Sequence, residues 1–295
     1  MNIYKIVTAL GSHGFLKWMP DKLYVKLYSK RITGKWIDLD NPHTLVEKMQ
    51  WLKLNNRKPI YTKMVDKYES KEYVKNIIGE EYIIPAIGLW DSVDDIDMNK
   101  LPEKFVLKCT HDSGKVLICK NKNDFNFDEA KKVLRKRLKT DYYTTSREWP
   151  YKNVKHRILC EPLLENKDKS ELVDYKFYCY GGELQYFMCS VGEASHNVKN
   201  HKFNLDLESI DYLFKKKSTL NLSDVKLPEN IDEMIAIARK LSNGFQHIRV
   251  DMYNVDGKIY VGELTFFSNS GFINIYNKQY EQYLADLIDI SDLKN

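Results

Sequence analysis

The stretch RVDMYNVDGKIYVGELTF, from Arg249 to Phe266, restricts the fold most. Strand-forming residues flank Asn254-Val255-Asp256-Gly257 on both sides, which predicts an antiparallel hairpin. The turn suits a type I turn closed by a left-handed glycine, a three-residue loop with a bulge. That loop pairs Asn254 with Lys258 and Arg249 with Glu263. Odd-numbered residues of both strands then share one face. Arg249, Asp251, Glu263 and Thr265 line up there, among Tyr253, Ile259 and Val261; Val250, Met252, Tyr260 and Leu264 take the other face. A two-residue loop would instead separate Asp251 from Glu263.

Two carboxylates on a half-apolar surface repel each other and lose solvation. A hard divalent cation relieves both problems and keeps positions for water or phosphate oxygens. Arg249 beside the pair suits a phosphate. A salt-bridged sheet surface accounts for the same pattern.

LPEKFVLKCTHDSGKVLICK (101–120) predicts a second hairpin, with strands at 105–110 and 115–120 and the flexible tip His111-Asp112-Ser113-Gly114. Lys108 follows Phe105-Val106-Leu107, where a lysine is out of character unless an anion meets it. Backbone amides at such a tip can cradle phosphate, although a Ser-Gly tip is more often only a turn. No Walker loop occurs, because the lysine precedes the glycine. Glu161 lies at the exit of a strand in RILCEPLL (157–164), where it suits a ribose or amino group, or a rim salt bridge.

The rest of the chain alternates helices and strands. Residues 1–60 read as mainly helical, with Thr44 and Glu47 forming a capping box. VDKYESKEYVKNIIG (65–79) reads as a helix with Lys67 and Lys71 on one face. EYIIPAIGLW reads as a strand broken at Pro85, and 126–143 as a basic helix. ELVDYKFYCYGGELQYFMCSV reads as two strands joined at Gly181-Gly182. Residues 192–229 look irregular, and helices close the pattern at 228–244 and near the end.

With 295 residues, 43% of them hydrophobic, the chain can build a real core. Its net charge of +5 is too mild to indicate a nucleic-acid binder. The odd count of five cysteines, none spaced as a metal pair, predicts free buried thiols in a reducing cytoplasm. No stretch approaches the 18 or so apolar residues of a membrane span, and the start lacks an export signal.

The order of elements resembles that of ATP-grasp ligases: a lysine-bearing helix, a strand lysine, a glycine hairpin, a hinge glutamate, then Arg-x-Asp and Glu-x-Thr. RVDMYNVDGKIYVGELT is similar to the metal-binding end of D-alanine–D-alanine ligases. NPHTLVEKMQWLKL, DKYESKEYVKNIIGEEYIIPAIGLWDS, LPEKFVLKCTHDSGKVLICK, REWPYKNVKHRILCEPLL and DYKFYCYGGE resemble the TupA-like ATP-grasp family of polysaccharide biosynthesis. Together these stretches cover most of residues 41–272.

The resemblance implies an α+β ATP-grasp fold, two lobes clasping ATP, after a mainly helical N-terminal region. It implies divisions at 1–100, 101–160 (the lid with the glycine hairpin) and 161–295 (the metal-site lobe). Lys67 and Lys108 would meet the nucleotide, Ser113 and Gly114 would cover its phosphates, and Glu161 with Leu163 would form the hinge at adenine and ribose. Asp174 and Lys176 match the family's Asp-Tyr-Lys strand, with Lys176 a phosphate contact. Arg249 would stabilise the transferring phosphoryl group. Asp251 and Glu263 would hold Mg²⁺, with Thr265 standing where the superfamily usually has asparagine. Ser268, Asn269, Ser270 and Gly271 would meet the acceptor.

The implied activity is ATP- and Mg-dependent ligation of a carboxylate to an amine through an acyl phosphate. The expected substrates are a uronic-acid sugar of a capsule, O-antigen or teichuronic-type polymer and an amino acid or amine. Peripheral association with polysaccharide assembly enzymes fits that setting. A sugar kinase on the same fold, a glycosyltransferase and a non-catalytic polyanion-binding module are the alternatives. Basic runs at 131–139 and 215–217 could attract a polyanion, and Tyr142, Tyr143, Trp149 and Tyr151 could stack on sugars.

Overall fold

The computed structural model describes all residues except 1, 2, 114, 115, 193–197, 215–219, 222, 224, 226, 292, 294 and 295. Gly114 and the basic run 215–217 therefore lie outside the described residues.

Five helices come first: α1 (Ile3–Ser12), α2 (Asp21–Thr33), α3 (Leu45–Asn55), α4 (Pro59–Val65) and α5 (Ser70–Ile78). Thr44 and Glu47 cap α3 reciprocally, an arrangement that contributes about 1 kcal/mol. The predicted helix over 65–79 is interrupted. Asp66 Oδ1 accepts the backbone N–H groups of Tyr68 and Glu69, which makes a turn of 66–69, and α5 starts at Ser70. Lys67 thus sits in a turn, not on the helical face with Lys71.

A four-stranded antiparallel sheet follows, in the order β1-β4-β2-β3. Its strands are β1 (Gly88–Trp90), β2 (Phe105–Cys109), β3 (Leu117–Cys119) and β4 (Ile158–Pro162). The strand expected from Glu81 on is reduced to β1, since Pro85 cannot donate to a ladder. Helix α6 (Phe127–Leu138) packs on β2, and Phe105, Leu107, Leu134 and Ile158 form a small separate core. The short α7 (Tyr143–Ser146) leads back towards β4.

The larger sheet has the order β7-β6-β5-β8-β9, antiparallel throughout. Its strands are β5 (Asp174–Tyr180), β6 (Glu183–Val191), β7 (Lys199–Phe203), β8 (His247–Val255) and β9 (Lys258–Thr265). Strand β7 lies inside the stretch expected to be irregular; Lys199, Asn200, His201 and Lys202 hide it behind polar side chains. Helix α8 (Ile231–Ser242) packs on one face through Met234, Ala238 and Leu241, all fully buried on one helical stripe. Val250, Met252, Leu264, Phe177 and Cys179 pack in the same core. Helix α9 (Lys278–Leu287) lies against α3. All five cysteines are free and buried, as expected.

The β8–β9 hairpin corrects one inference and preserves its consequence. Val255 pairs with Lys258, so the loop is two residues long. Asp256 and Gly257 have φ of 49° and 87°, the primed turn that suits strand twist. Asn254 therefore opposes Ile259, not Lys258, and Arg249 opposes Thr265, not Glu263. The register shifts between Asp251 and Met252, and this bulge brings Asp251 opposite Glu263 after all. Gly262 is the extra residue; a Cβ there would lie 2.8 Å from the Tyr253 ring. Ile259 and Val261 consequently pair with Asn254 and Met252 and share their face, not that of Asp251.

Candidate active site

Antiparallel pairing lays the charged residues out in rows. Lys176, Asp251 and Glu263 are successive cross-strand partners on β5, β8 and β9. Tyr178, Arg249 and Thr265 make the next row. Opposed residues bring their Cβ atoms within about 5 Å, so one sheet face concentrates this chemistry.

Arg249 grips Asp251 with two bonds, Nε to Oδ1 and a terminal nitrogen to Oδ2, both 2.6 Å. It also donates to Thr265 Oγ1 at 3.2 Å and Ser268 Oγ at 3.3 Å. Lys176 pairs closely with Asp174 and lies 3.4 Å from Asp251. Burial works against its charge, but Asp251 and Asp174 outweigh it and hold the ammonium above its usual range. Burial pushes Asp174 up to about 6, partly offset by Lys176. Its Oδ1 is buried with no hydrogen-bond partner.

Glu263 faces Lys67, whose Nζ is 3.1 Å away. The same Nζ donates to the Asp112 carbonyl at 2.5 Å, which ties the glycine hairpin to the large sheet. Burial opposes ionisation of Glu263, yet Lys67 and Arg249 bring its carboxyl down to about 2. Lys67 is raised in turn, Glu263 and Asp112 overcoming its burial. Asp112 is itself anchored by Arg137, 2.6 Å away.

A second cluster lies on the smaller sheet. Lys108 and Lys71 each approach one oxygen of Glu161 at 2.5 Å. The anion that a strand lysine called for is thus the protein's own Glu161, held ionised against burial by the two lysines. Lys71 also donates to the Ile84 carbonyl at 2.7 Å, and burial lowers its own proton affinity. Leu163 is half-buried just beyond β4. A narrow cleft joins the two clusters, lined by Lys67, Lys71, Ile83, Gly262 and Glu263. Ser113 is exposed at the hairpin tip, and the Tyr142 hydroxyl reaches it.

Beyond β9 the chain makes a tight turn. Asn269, Ser270 and Gly271 have φ of 51°, 56° and 80°, three successive left-handed residues, each costing about 1–2 kcal/mol when it is not glycine. Three polar side chains hold this turn. The Ser270 carbonyl accepts from Gln50 Nε2 at 2.9 Å and Lys53 Nζ at 2.7 Å. Ser270 Oγ donates to Glu148 Oε1 at 3.1 Å. Gly271 packs so closely on Gln50 that a Cβ would lie 2.7 Å from its amide nitrogen. Burial lowers Lys53 to about 8 and raises Glu148.

The structure therefore brings together Lys67, Lys176, Arg249, Asp251, Glu263, Thr265 and Ser268, and separately Lys108 with Glu161. Lys71, Gln50, Lys53 and Glu148 were not among the candidates. Lys71 had a signal, four residues from Lys67 in a lysine-bearing segment. Met49 to Lys53 are all buried, and no apolar periodicity points to a helix turn buried all round. The aromatic candidates behave as packing: Tyr143 and Tyr151 are buried, and Tyr142 meets Tyr151 edge-on at 4.7 Å. On the basic helix α6, Asp94 takes Arg135 and Asp112 takes Arg137.

The donor set fits magnesium under one condition. Asp251 and Glu263 supply two carboxylates, as many as this ion commonly takes from protein, with phosphate and water completing its shell. Asp174, Asp251 and Glu263 already face Lys67, Lys176 and Arg249, so the patch is close to neutral. A dication gains there only when a polyanion arrives to engage the cationic groups. Among the described residues no cluster of three His, Cys, Asp or Glu side chains could hold a metal alone. Thr265, the remaining expected ligand, is engaged by Arg249.

The chain matches the family described as TupA-like ATPgrasp over residues 47–289. Among solved structures it is similar to a D-alanine–D-alanine ligase from Bacillus anthracis complexed with ATP (15% identity, 78% of this chain and 65% of that chain, TM-score 0.42). It is also similar to the D-cycloserine synthetase DcsG (14%, 78% and 70%, TM-score 0.42). A RimK-domain ATP-grasp protein from Sphaerobacter thermophilus stands at 12% identity, 79% and 70% coverage and TM-score 0.42. The chain spans 65% of the length of the first of these proteins and 70% of the other two. No curated protein is significantly similar in sequence.

Proposed function

Because the chain belongs to the TupA-like ATP-grasp family, we propose that it is an ATP-dependent carboxylate–amine ligase with its metal-binding end at Asp251 and Glu263. One observation carries the assignment: the bulge at Gly262 sets these carboxylates opposite each other, with Arg249, Lys176 and Lys67 converging from three elements. In this reading Lys71 and Lys108 leave Glu161 to meet nucleotide phosphates. Glu161 and Leu163 then border adenine and ribose, and Ser113 and Gly114 cover the phosphates. Asp174 keeps Lys176 charged and oriented. Magnesium, bound with ATP, neutralises phosphate charge and polarises the γ-phosphoryl group.

The chain's own part is alignment and electrostatics. Arg249 holds the transferring phosphoryl group in line with the substrate carboxylate. That carboxylate attacks phosphorus, ADP leaves, and an acyl phosphate results. Ser268, Asn269, Ser270 and Gly271 border the acceptor, held in shape by Gln50, Lys53 and Glu148. The amine then attacks the acyl carbon, loses a proton and expels phosphate. We assign the carboxylate to a uronic-acid sugar of a surface polysaccharide and the amine to an amino acid or simple amine, on the strength of the family resemblance.

The test is ADP release screened over uronic acids crossed with amines, with product masses recorded. Condensation with loss of water, dependent on both partners and abolished in Asp251→Asn, is the expected result. ADP release needing only the sugar, with a phosphorylated sugar as product, would replace the ligase by a kinase. Full turnover in Asp251→Asn would move the metal site elsewhere.

A further inference from the structure

The first 36 residues carry an unusual surface. Ile3, Phe15, Trp18 and Trp36 are 65%, 68%, 76% and 56% exposed, and Leu10, Leu23 and Ile32 are exposed as well. Two of the chain's five tryptophans are thus in water within one short segment. Isolated exposed apolar residues need no explanation; a concentration of large aromatic ones does.

Charge follows the same segment. Residues 1–36 hold Lys5, Lys17, Lys22, Lys26, Lys30, Arg31 and Lys35 against Asp21 alone, a net +6 where the whole chain nets +5. Asp141 takes Lys17, and Asp40 takes Lys22 and Lys26. Lys5, Lys30, Arg31 and Lys35 have no acidic partner among the described residues.

Two of these cations, Lys30 and Arg31, lie where the end of α2 meets α1 and Trp36. Arg31 donates to Thr8 Oγ1 at 2.6 Å, so the end of α2 lies against α1. Trp36 meets Tyr4 edge-on at 6.1 Å, and Lys30 Nζ stands 5.7 Å from the Trp36 ring. Ile3 and Leu10, seven apart, share one stripe of α1 away from the buried Thr8. The family match begins only at residue 47, so this α1–α2 unit precedes the ATP-grasp core.

We propose that α1, α2 and the segments after them, at 13–18 and 34–36, dock the protein on an anionic lipid surface. Exposed tryptophan and phenylalanine suit the boundary between headgroups and acyl chains, and lysine and arginine without acidic partners suit the phosphates above it. Charge selects this occupant, since cations without acidic partners favour a polyanionic surface and aromatic side chains need one with an apolar interior. The inference is independent of the catalytic assignment.

The test is co-sedimentation of the full chain with vesicles of phosphatidylcholine alone and of phosphatidylcholine mixed with phosphatidylglycerol, with tryptophan emission recorded. Binding to the mixed vesicles only, with a blue shift, is expected. Phe15→Ser with Trp18→Ser, and separately Lys5→Glu with Lys35→Glu, should each reduce partitioning by more than about tenfold. Urea stability should be unchanged in both variants. The proposal is overturned if the wild type ignores the mixed vesicles, or if Phe15→Ser with Trp18→Ser binds them as well as the wild type. It is equally overturned if light scattering shows that the patch pairs two copies of the chain while vesicles remain unbound.

Discussion

Glu263 should be as important to the unliganded fold as to chemistry. Its carboxyl is held at about 2 instead of 4.5. At about 1.4 kcal/mol for each tenfold change, that is roughly 3 kcal/mol of stability at pH 7. The side chain is 23% exposed, so solvent screening removes only part of this. Glu263→Gln keeps size and an acceptor for Lys67 but loses the charge, and should cost about 2–3 kcal/mol in urea unfolding at pH 7. The sign is definite. A depressed carboxyl stabilises the fold above its unfolded value, and that stabilisation is lost as pH falls from about 4.5 to about 2. The gap between wild type and variant should therefore close on acidification. Arg249 and Lys176 share the interaction with Lys67, so a cycle with Lys67→Met should give a coupling of only about 1–2 kcal/mol. A Glu263→Gln protein as stable as the wild type at pH 7, with no coupling to Lys67, would refute this electrostatic picture.

Three further outcomes are expected. Calorimetry should detect magnesium binding in the presence of ATP and none without it, because Asp251 and Glu263 already face cationic side chains. Gly262→Val should lower turnover by more than about tenfold, since its Cβ would meet the Tyr253 ring and push Glu263 out of line with Asp251; wild-type turnover would dismiss the bulge as incidental. Lys53 ionises at about 8 in the fold against 10.5 outside it, so burying its charge destabilises the fold below pH 8. Wild-type stability should rise relative to Lys53→Met between pH 8 and 10.5, and that variant should raise the acceptor KM; parallel pH curves would mean that Lys53 is not buried as a cation.

The fold was largely legible because local rules are strong here. The Thr44–Glu47 capping box, the Gly181-Gly182 turn and the alternation of β8 each depend on neighbours in sequence. The hairpin shows where such rules stop. Its turn residues suit a three-residue tip and the tip is two, yet Asp251 still meets Glu263, because a bulge at Gly262 restores the offset. Bulges are set by packing across strands, and nothing in the sequence between Ile259 and Thr265 marks one except the glycine itself. The Lys53–Ser270 contact spans 217 residues, and a lysine three positions from a glutamine looks like any exposed helical face. Lys71 was missed for a smaller reason: the turn at Asp66 rotates Lys67 off the helix and leaves Lys71 to reach Glu161.

The buried thiols have a practical consequence. Burial drives Cys109, Cys160, Cys179 and Cys189 up to about 12, and Cys119 is raised too. None should react with maleimides at neutral pH. Cysteines placed at exposed Val116, beside the hairpin tip, and at Tyr276 could carry a dye pair in an otherwise native background. Energy transfer between them would follow the tip as nucleotide enters.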